Sequence, residues 1–236
     1  MSQILVTKRD GRKEPLNLEK LHKVVFWATQ GITGVSASEV EIKSHIQFYN
    51  GIKTSDIQET LIKSAADLIS EETPNYQYVA GNLINYNLRK EVYGTYNPVD
   101  LGTHIRKVVE LGYYDSDIEK WYSTFDMSAL NSAIDHSRDF NLTYAGMEQF
   151  RGKYLVKNRV SGKYFETPQM AFMLIGMVLF RNYGEDRLKW VKDFYDAVSN
   201  FEISLPTPIM AGLRTPQKQF SSCVLIETDE DRKSTR

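Results

Sequence analysis

The residues with the clearest chemical capacity lie near the two ends of the chain. Within the first 24 positions stand Lys8, Arg9, Arg12, Lys13, Lys20 and Lys23 against Asp10, Glu14 and Glu19, a local excess of three positive charges around Gly11. Cations and free backbone N–H groups beside a helix start offer both charge and hydrogen bonds to a polyphosphate. The competing reading is a solvated hairpin surface, and composition alone favours it. At the other end, Cys223 sits in Phe220-Ser221-Ser222-Cys223-Val224-Leu225-Ile226 and is the single cysteine of the chain. Spacing alone marks it as a small buried hydrophobe in a strand. Redox work by disulfide formation would need a second thiol from elsewhere.

Other polar groups promise less. His22, His45, His104 and His136 are far apart and in no paired metal-ligand spacing, so each is expected at the surface or as a cap, and no metal is assigned. Asp135-His136-Ser137-Arg138-Asp139 reads as capping and ion pairing at a helix end. Neither a P-loop nor a dinucleotide fingerprint is present, so any nucleotide bound here is held by another device.

These groups must be positioned by a mainly helical chain. Ile4 to Thr7 and Lys13 to Leu16 flank Arg9-Asp10-Gly11, a hairpin signal. Asn17 then caps a helix carrying Leu18, Leu21, Val24, Val25 and Ala28 at helical spacing, with Gly31 as the stop. Further helices are expected over 38–49, from Ser55 with Gln58 as a capping box and Pro74 as the end, and over 76–93. Gly94 to Pro98 reads as a boundary. Beyond it, helices are expected over 101–111, 115–122, 128–136, 144–150, 167–180 and 185–199, with a hairpin over 154–165 around Ser161-Gly162. Ser204 to Pro208 reads as a rigid loop, and Gln219 to Ile226 as a strand buried on both faces.

Composition limits the function classes. The 236 residues are 42% hydrophobic and 25% charged, which excludes disorder, and a formal net charge of -1 leaves no whole-molecule field to attract nucleic acid or a membrane. The longest apolar run, Met170 to Phe180, is too short for the roughly 20 residues of a membrane helix. With one cysteine and no secretory pattern, a reducing cytoplasm is expected.

Two groups of motifs carry a family resemblance. Val6-Thr7-Lys8-Arg9-Asp10-Gly11, Asn17-Leu18-Glu19-Lys20-Leu21 and Lys53-Thr54-Ser55-Asp56-Ile57 resemble the ATP-cone, the allosteric nucleotide module of ribonucleotide reductase large subunits. Ser204-Leu205-Pro206-Thr207-Pro208-Ile209-Met210, with Arg214-Thr215-Pro216 and Gln219-Phe220-Ser221-Ser222-Cys223, is similar to the entry of the class I catalytic barrel. The likeness runs from residue 4 to about 227 and is strongest to enterobacterial and T4-like phage class Ia subunits. It implies a mainly α (α+β) fold in three parts: an ATP-cone of a β-hairpin plus four helices at 1–95, a helical domain at 96–203, and the first strand of an incomplete α/β barrel at 204–227. Residues 228–236 depart from the family and, holding no apolar residue, are expected to be a solvated tail.

The resemblance also implies roles. Lys8, Glu14, Pro15, Leu16, Asn17, Leu18, Glu19, Lys20, Thr54 and Lys90 would line an ATP or dATP effector site. Gln58 and Asn87 stand where relatives often carry histidines tied to dATP inhibition. Thr207, Ser222 and Cys223 would hold a ribonucleoside diphosphate, and Cys223 would be one of two thiols that reduce the ribose. The radical thiol and the second reducing thiol lie far downstream in relatives, so the chain is expected to be the N-terminal half of a split large subunit working with a second chain. Further implied partners are a small subunit bearing a diiron-tyrosyl radical, and thioredoxin or glutaredoxin as reductant. The rival readings are a non-catalytic ATP-cone regulator and an inactive truncation product.

Overall fold

The computed structural model describes residues 4–8, 10–223 and 225. Strands β1 (Leu5–Thr7) and β2 (Lys13–Pro15) pair antiparallel with Val6 opposite Glu14, as the Asp-Gly turn predicts. Arg9, in that turn, lies outside the described residues. Gly11 takes φ +84°, a left-handed conformation that suits glycine. The hairpin is also tied to a later segment: Thr7 N–H donates to Ile52 O at 2.8 Å, Gly51 N–H to Leu5 O at 2.8 Å, and Thr7 bridges Lys53 in parallel.

Four helices follow: α1 (Leu18–Thr29), α2 (Ala37–His45), α3 (Thr54–Ala66) and α4 (Tyr76–Tyr93). Asn17 caps α1, its Oδ1 accepting from Lys20 N–H at 2.9 Å. The third helix departs from expectation, because Ser55 lies inside it and Lys53 is the N-cap without a side-chain cap bond. The cause is the bridge to Thr7, which holds Lys53 extended and lets the helix begin at Thr54. It also ends at Ala66, well before Pro74. The α4 boundaries match the periodicity, and Gly94 closes the helix at φ +79° with its N–H on Lys90 O. Val25, Val40, Leu61, Val79 and Leu83 are fully buried between these helices, each contributing about 1.5–3 kcal/mol by burial.

The second half adds α5 (Leu101–Glu110), α6 (Ile118–Trp121), α7 (Thr124–Asn131), α8 (Tyr144–Gln149), α9 (Pro168–Phe180), α10 (Arg187–Ser199) and α11 (Thr207–Gly212). A 3-10 turn at His136–Asn141 precedes α8, and a π turn at Phe150–Tyr154 follows it. The nearly all-apolar α9 is buried along most of its length, which explains why it shows no amphipathic stripe. Tyr122 OH donates to Met177 O at 2.7 Å and Tyr195 OH to Gln169 Oε1 at 2.7 Å, fixing α9 against its neighbours.

Several expectations shift here. The helix read from Ser128 starts at Thr124, because Ser123 and Asp126 form a reciprocal capping box. The 154–165 hairpin reduces to one antiparallel bridge, Lys157 to Tyr164, with Gly162 at φ +75°. Pro206-Thr207-Pro208, read as loop, instead opens α11, since proline is tolerated in a first turn whose N–H groups lack helical partners. The barrel strand over 219–226 is not seen: Gln219–Cys223 and Leu225 pair with no strand among the described residues. A strand of that kind needs neighbours on both edges. Val224, Ile226 and the 228–236 tail lie outside the described residues.

Candidate functional site

The hairpin and the starts of two helices converge on one cleft of about 730 Å³. Because β1 is bonded to residues 51–53, the first turn of α3 is carried next to the hairpin, and Thr54 comes to line the same cleft as Lys8. From α1 come Lys20, Lys23, Val24 and Trp27, which share one helical stripe, and from α4 come Tyr86, Asn87 and Lys90. The cleft therefore receives four lysines, Lys8, Lys20, Lys23 and Lys90, against two acids, Asp10 and Glu14.

Those charges are ordered by contacts. Lys8 Nζ pairs with Glu14 Oε1 at 2.9 Å across the hairpin, and the lysine's hydrogen bond holds the Glu14 carboxyl below its ordinary range. Arg12 does the same for Asp10 through a 2.7 Å pair. Lys23 pairs with Glu19 at 2.7 Å, and Lys90 Nζ lies 4.7 Å from the Tyr86 ring centre. Among the described residues no carboxylate is within ion-pairing distance of Lys20. Two helix N-termini, those of α1 and α3, add the positive ends of their dipoles, and α3 has no side-chain cap to compete for its first N–H groups.

Beside these cations the cleft has an aromatic wall. Trp27 meets Tyr96 edge-on at 5.2 Å and Tyr86 at 5.7 Å, and Tyr86 and Tyr96 lie 5.5 Å apart. Burial pushes the Tyr96 phenol up, and the nearby Arg89 charge pulls it back. Val6, Leu16, Leu21 and Ile57 complete an apolar floor. Such a cleft suits a ligand with a flat apolar part at one end and several negative charges at the other.

Of the residues implied as effector-binding, the structure gathers Lys8, Glu14, Leu16, Asn17, Lys20, Thr54 and Lys90 around this cleft. Pro15, Leu18 and Glu19 are exposed and do not line it. The aromatic wall was not among the sequence candidates, although Trp27 falls on the Lys20, Lys23, Val24 stripe of α1 and could have been found there. Gln58 and Asn87 line the cleft too, and Gln58 Oε1 is buried with no hydrogen-bond partner among the described residues.

The second set behaves differently. Thr207 is exposed at the start of α11. Ser222 and Cys223 are exposed, with Ser222 Oγ 3.8 Å from Cys223 Sγ. The expectation of a buried Cys223 is thereby corrected, and the reason is the missing strand neighbours. No hydrogen bond joins Thr207 to Ser222 or Cys223 among the described residues.

What fixes this segment is a buried cluster that the sequence did not announce. Arg214 and Glu166, both fully buried, form a two-pronged ion pair, with Arg214 Nε donating to Glu166 Oε2 at 2.7 Å. Arg214 also donates to Met210 O at 2.6 Å and Tyr154 O at 2.9 Å, while its own carbonyl accepts from Asp115 N–H at 3.0 Å. Asp115 pairs in turn with Lys218. Tyr114 OH donates to Glu166 Oε2 at 2.8 Å and lies 3.4 Å from His104 Nε2. His104 is thus buried rather than superficial, and burial depresses its pKa to about 4. Asp135 caps the 3-10 turn and Arg138 pairs with Asp196 at 2.6 Å, the structural role expected there. The described residues contain no group of three His, Cys, Asp or Glu side chains able to hold a metal ion, and no helix long and apolar enough to cross a membrane.

Residues 4–91 match the family described as ATP cone domain, and residues 140–218 match the family described as ribonucleotide reductase, all-alpha domain. The chain is 54% identical to ribonucleoside-diphosphate reductase 1 subunit alpha of Escherichia coli (strain K12) over 225 residues, 95% of this chain and 30% of that protein. It is 47% identical to the ribonucleoside-diphosphate reductase subunit alpha of Enterobacteria phage T4, over 99% of this chain and 31% of that protein. The subunit from Helicobacter pylori (strain ATCC 700392 / 26695) is 37% identical over 97% of this chain and 28% of its own length. The chain thus spans about a third of the curated relatives it matches. With an ATP cone at its start and a ribonucleotide reductase all-alpha domain after it, the chain is similar over nearly its whole length to the N-terminal region of class Ia ribonucleotide reductase alpha subunits.

Proposed function

We propose that this chain is the effector-binding part of a ribonucleoside-diphosphate reductase large subunit, and that it contributes one reducing thiol once combined with the rest of the catalytic barrel. The observation that carries the reading is the cleft: four lysines, two helix N-termini and three aromatic rings line one cleft built mainly from the residues that match the ATP cone. ATP or dATP fits this arrangement, with phosphates on Lys8, Lys20 and Lys90 beside Thr54, and the base against Trp27, Tyr86 and Tyr96. With Gln58 and Asn87 in place of histidines, dATP is expected to inhibit weakly.

At the far end, Thr207 and Ser222 would hold the substrate diphosphate. The Cys223 thiol and a second thiol from the rest of the barrel would give up two electrons and two protons and become a disulfide. The ribose 2′ hydroxyl would leave as water, yielding a deoxyribonucleotide for DNA synthesis. A small subunit carrying the diiron-tyrosyl radical would start the reaction, thioredoxin or glutaredoxin would reset the disulfide, and a cytoplasmic setting would supply both.

The test has two arms. Isothermal titration of ATP into the chain should give saturable binding that Lys20→Ala weakens about tenfold, the loss of one charge-assisted phosphate contact. Mixing the chain with a separately made polypeptide carrying the remaining barrel, and with the small subunit, should restore reduction of ribonucleoside diphosphates, and Cys223→Ala should abolish it. Turnover by the barrel polypeptide without this chain would refute the catalytic role and the two-chain arrangement together. ATP binding with no contribution to turnover would favour a purely regulatory module.

A further inference from the structure

Arg89 is one residue from the cleft's Lys90 but turns inward, 3% exposed, and lines neither the cleft nor its mouth. Its guanidinium carbon sits between two rings, 5.3 Å from the centre of Tyr96 and 5.2 Å from that of Phe140. Tyr96 belongs to the aromatic wall of the cleft, while Phe140 lies on the His136–Asn141 turn that leads into α8. Trp27 touches both, at 5.2 Å and 5.4 Å. On the side away from the cleft, Arg89 Nη2 donates to His136 O at 2.5 Å and lies 3.3 Å from Asp139 Oδ2, within a fully buried carboxylate.

We propose that Arg89 is the coupling residue between the cleft and the helical unit: a ligand that packs against Trp27 and Tyr96 shifts the guanidinium held between Tyr96 and Phe140, and so alters its bonds to His136 and Asp139. The argument rests on three features. A guanidinium between two ring faces is held by both, so it follows if one ring moves. One nitrogen, Nη2, holds His136 O at 2.5 Å but reaches Asp139 only at 3.3 Å, long against the usual range of about 2.7–2.9 Å for a charge-assisted bond, and Arg89 Nε has no partner among the described residues, so a small turn of the head can exchange the first bond for a closer second one. The surroundings are dry, where a small change in a charge-to-charge distance carries a large energy. This inference rests on the cleft being a nucleotide site and adds how its occupancy is read elsewhere in the chain.

Coupling is reciprocal, so residues outside the cleft must change nucleotide affinity. The experiment combines ATP titration with hydrogen exchange over residues 136–142, on the wild-type chain, Phe140→Leu and Arg89→Lys. The wild type should bind ATP and, when saturated, exchange at 136–142 at least threefold more slowly. Phe140→Leu and Arg89→Lys should bind ATP about five- to tenfold more weakly, the span of a modest coupling energy, and should lose the protection at 136–142 at saturating ATP. Exchange in α9 and α10 serves as the control for folding. Wild-type ATP binding without protection at 136–142, or variants that keep wild-type affinity, would overturn the coupling while leaving the nucleotide site intact. Absence of ATP binding in the wild type would overturn both. If neither variant folds, the wild-type exchange measurement decides the matter alone.

Discussion

Replacing Gly81 with alanine sets two physical effects of opposite sign against each other, and the structure decides between them. Gly81 lies in the middle of α4, where alanine is favoured over glycine by up to about 1 kcal/mol because it loses less backbone freedom on folding. A Cβ built there, however, would lie 2.3 Å from Leu142 O and 3.1 Å from Thr143 C, both backbone atoms. Ordinary contact begins near 3.4 Å, so α4 and the Leu142–Thr143 segment would have to part by about 1 Å. That movement would loosen the seam at which α4 meets α8, where Leu142 and Met147 are buried. Overpacking of this kind costs about 1–3 kcal/mol, and a rigid backbone oxygen places Gly81→Ala at the upper end. Subtracting the helix preference leaves a net loss of roughly 2 kcal/mol, or about 4–8 °C in Tm for a chain of this size. The control is Gly152→Ala, where no atom lies within 4 Å of the new carbon and φ is not positive. That change should be neutral or stabilise by up to about 1 kcal/mol. Urea unfolding followed by circular dichroism measures both. A Gly81→Ala chain as stable as the wild type, or more so, would refute the close approach of α4 to residues 142–143.

Two further outcomes follow from the buried charges. Arg214→Met leaves Glu166 buried without its counterion and should cost about 3–5 kcal/mol in urea unfolding; adding Glu166→Gln should recover part of that loss, and a double variant no better than the single one would contradict the pairing. The pH dependence of stability between about 5 and 6 should be set by three groups. Burial lowers His104 and His136 to about 4, so both take up protons on unfolding, while burial raises Asp139 to about 6, so it releases one. The net uptake of about one proton makes stability rise with pH across this window by roughly 1.4 kcal/mol per unit, and Asp139→Asn should steepen that slope towards two protons. A flat profile in the wild type, measured by urea unfolding at several pH values, would show that these histidines are not held neutral.

Much of the local structure could be read from residue order. The Asp-Gly hairpin, the Asn17 cap and the bounds of α4 each follow from interactions a few residues apart, which is why a linear reading found them. The basic cluster around Gly11 was equally visible, but as a sequence it could not be told from a solvated surface. Bonding of Thr7 to Ile52 and Lys53 carries the start of α3 to the hairpin and closes a cleft with α1 and α4 that gathers Lys8, Lys20 and Lys23, whereas Arg12 and Lys13 stay exposed outside it. The same long-range pairing moved the helix start from Ser55 to Thr54.

Where sequence reasoning failed, the deciding partner was distant in the chain. The run from Gln219 to Ile226 has the composition of a buried strand, yet a strand is defined by neighbours, and among the described residues it has none, so Cys223 is exposed. His104 looked superficial because nothing near it in sequence buries it, but Tyr114 and Tyr93 enclose it in space. Glu166 and Arg214, 48 positions apart, gave no sign of pairing at all. Sequence alone therefore determined the helical character, the hairpin and the family, because propensity, turn chemistry and motif order act along the chain. Tertiary structure alone decided which lysines share a cleft, what walls it and which charges are buried, because those depend on distances that residue order does not contain.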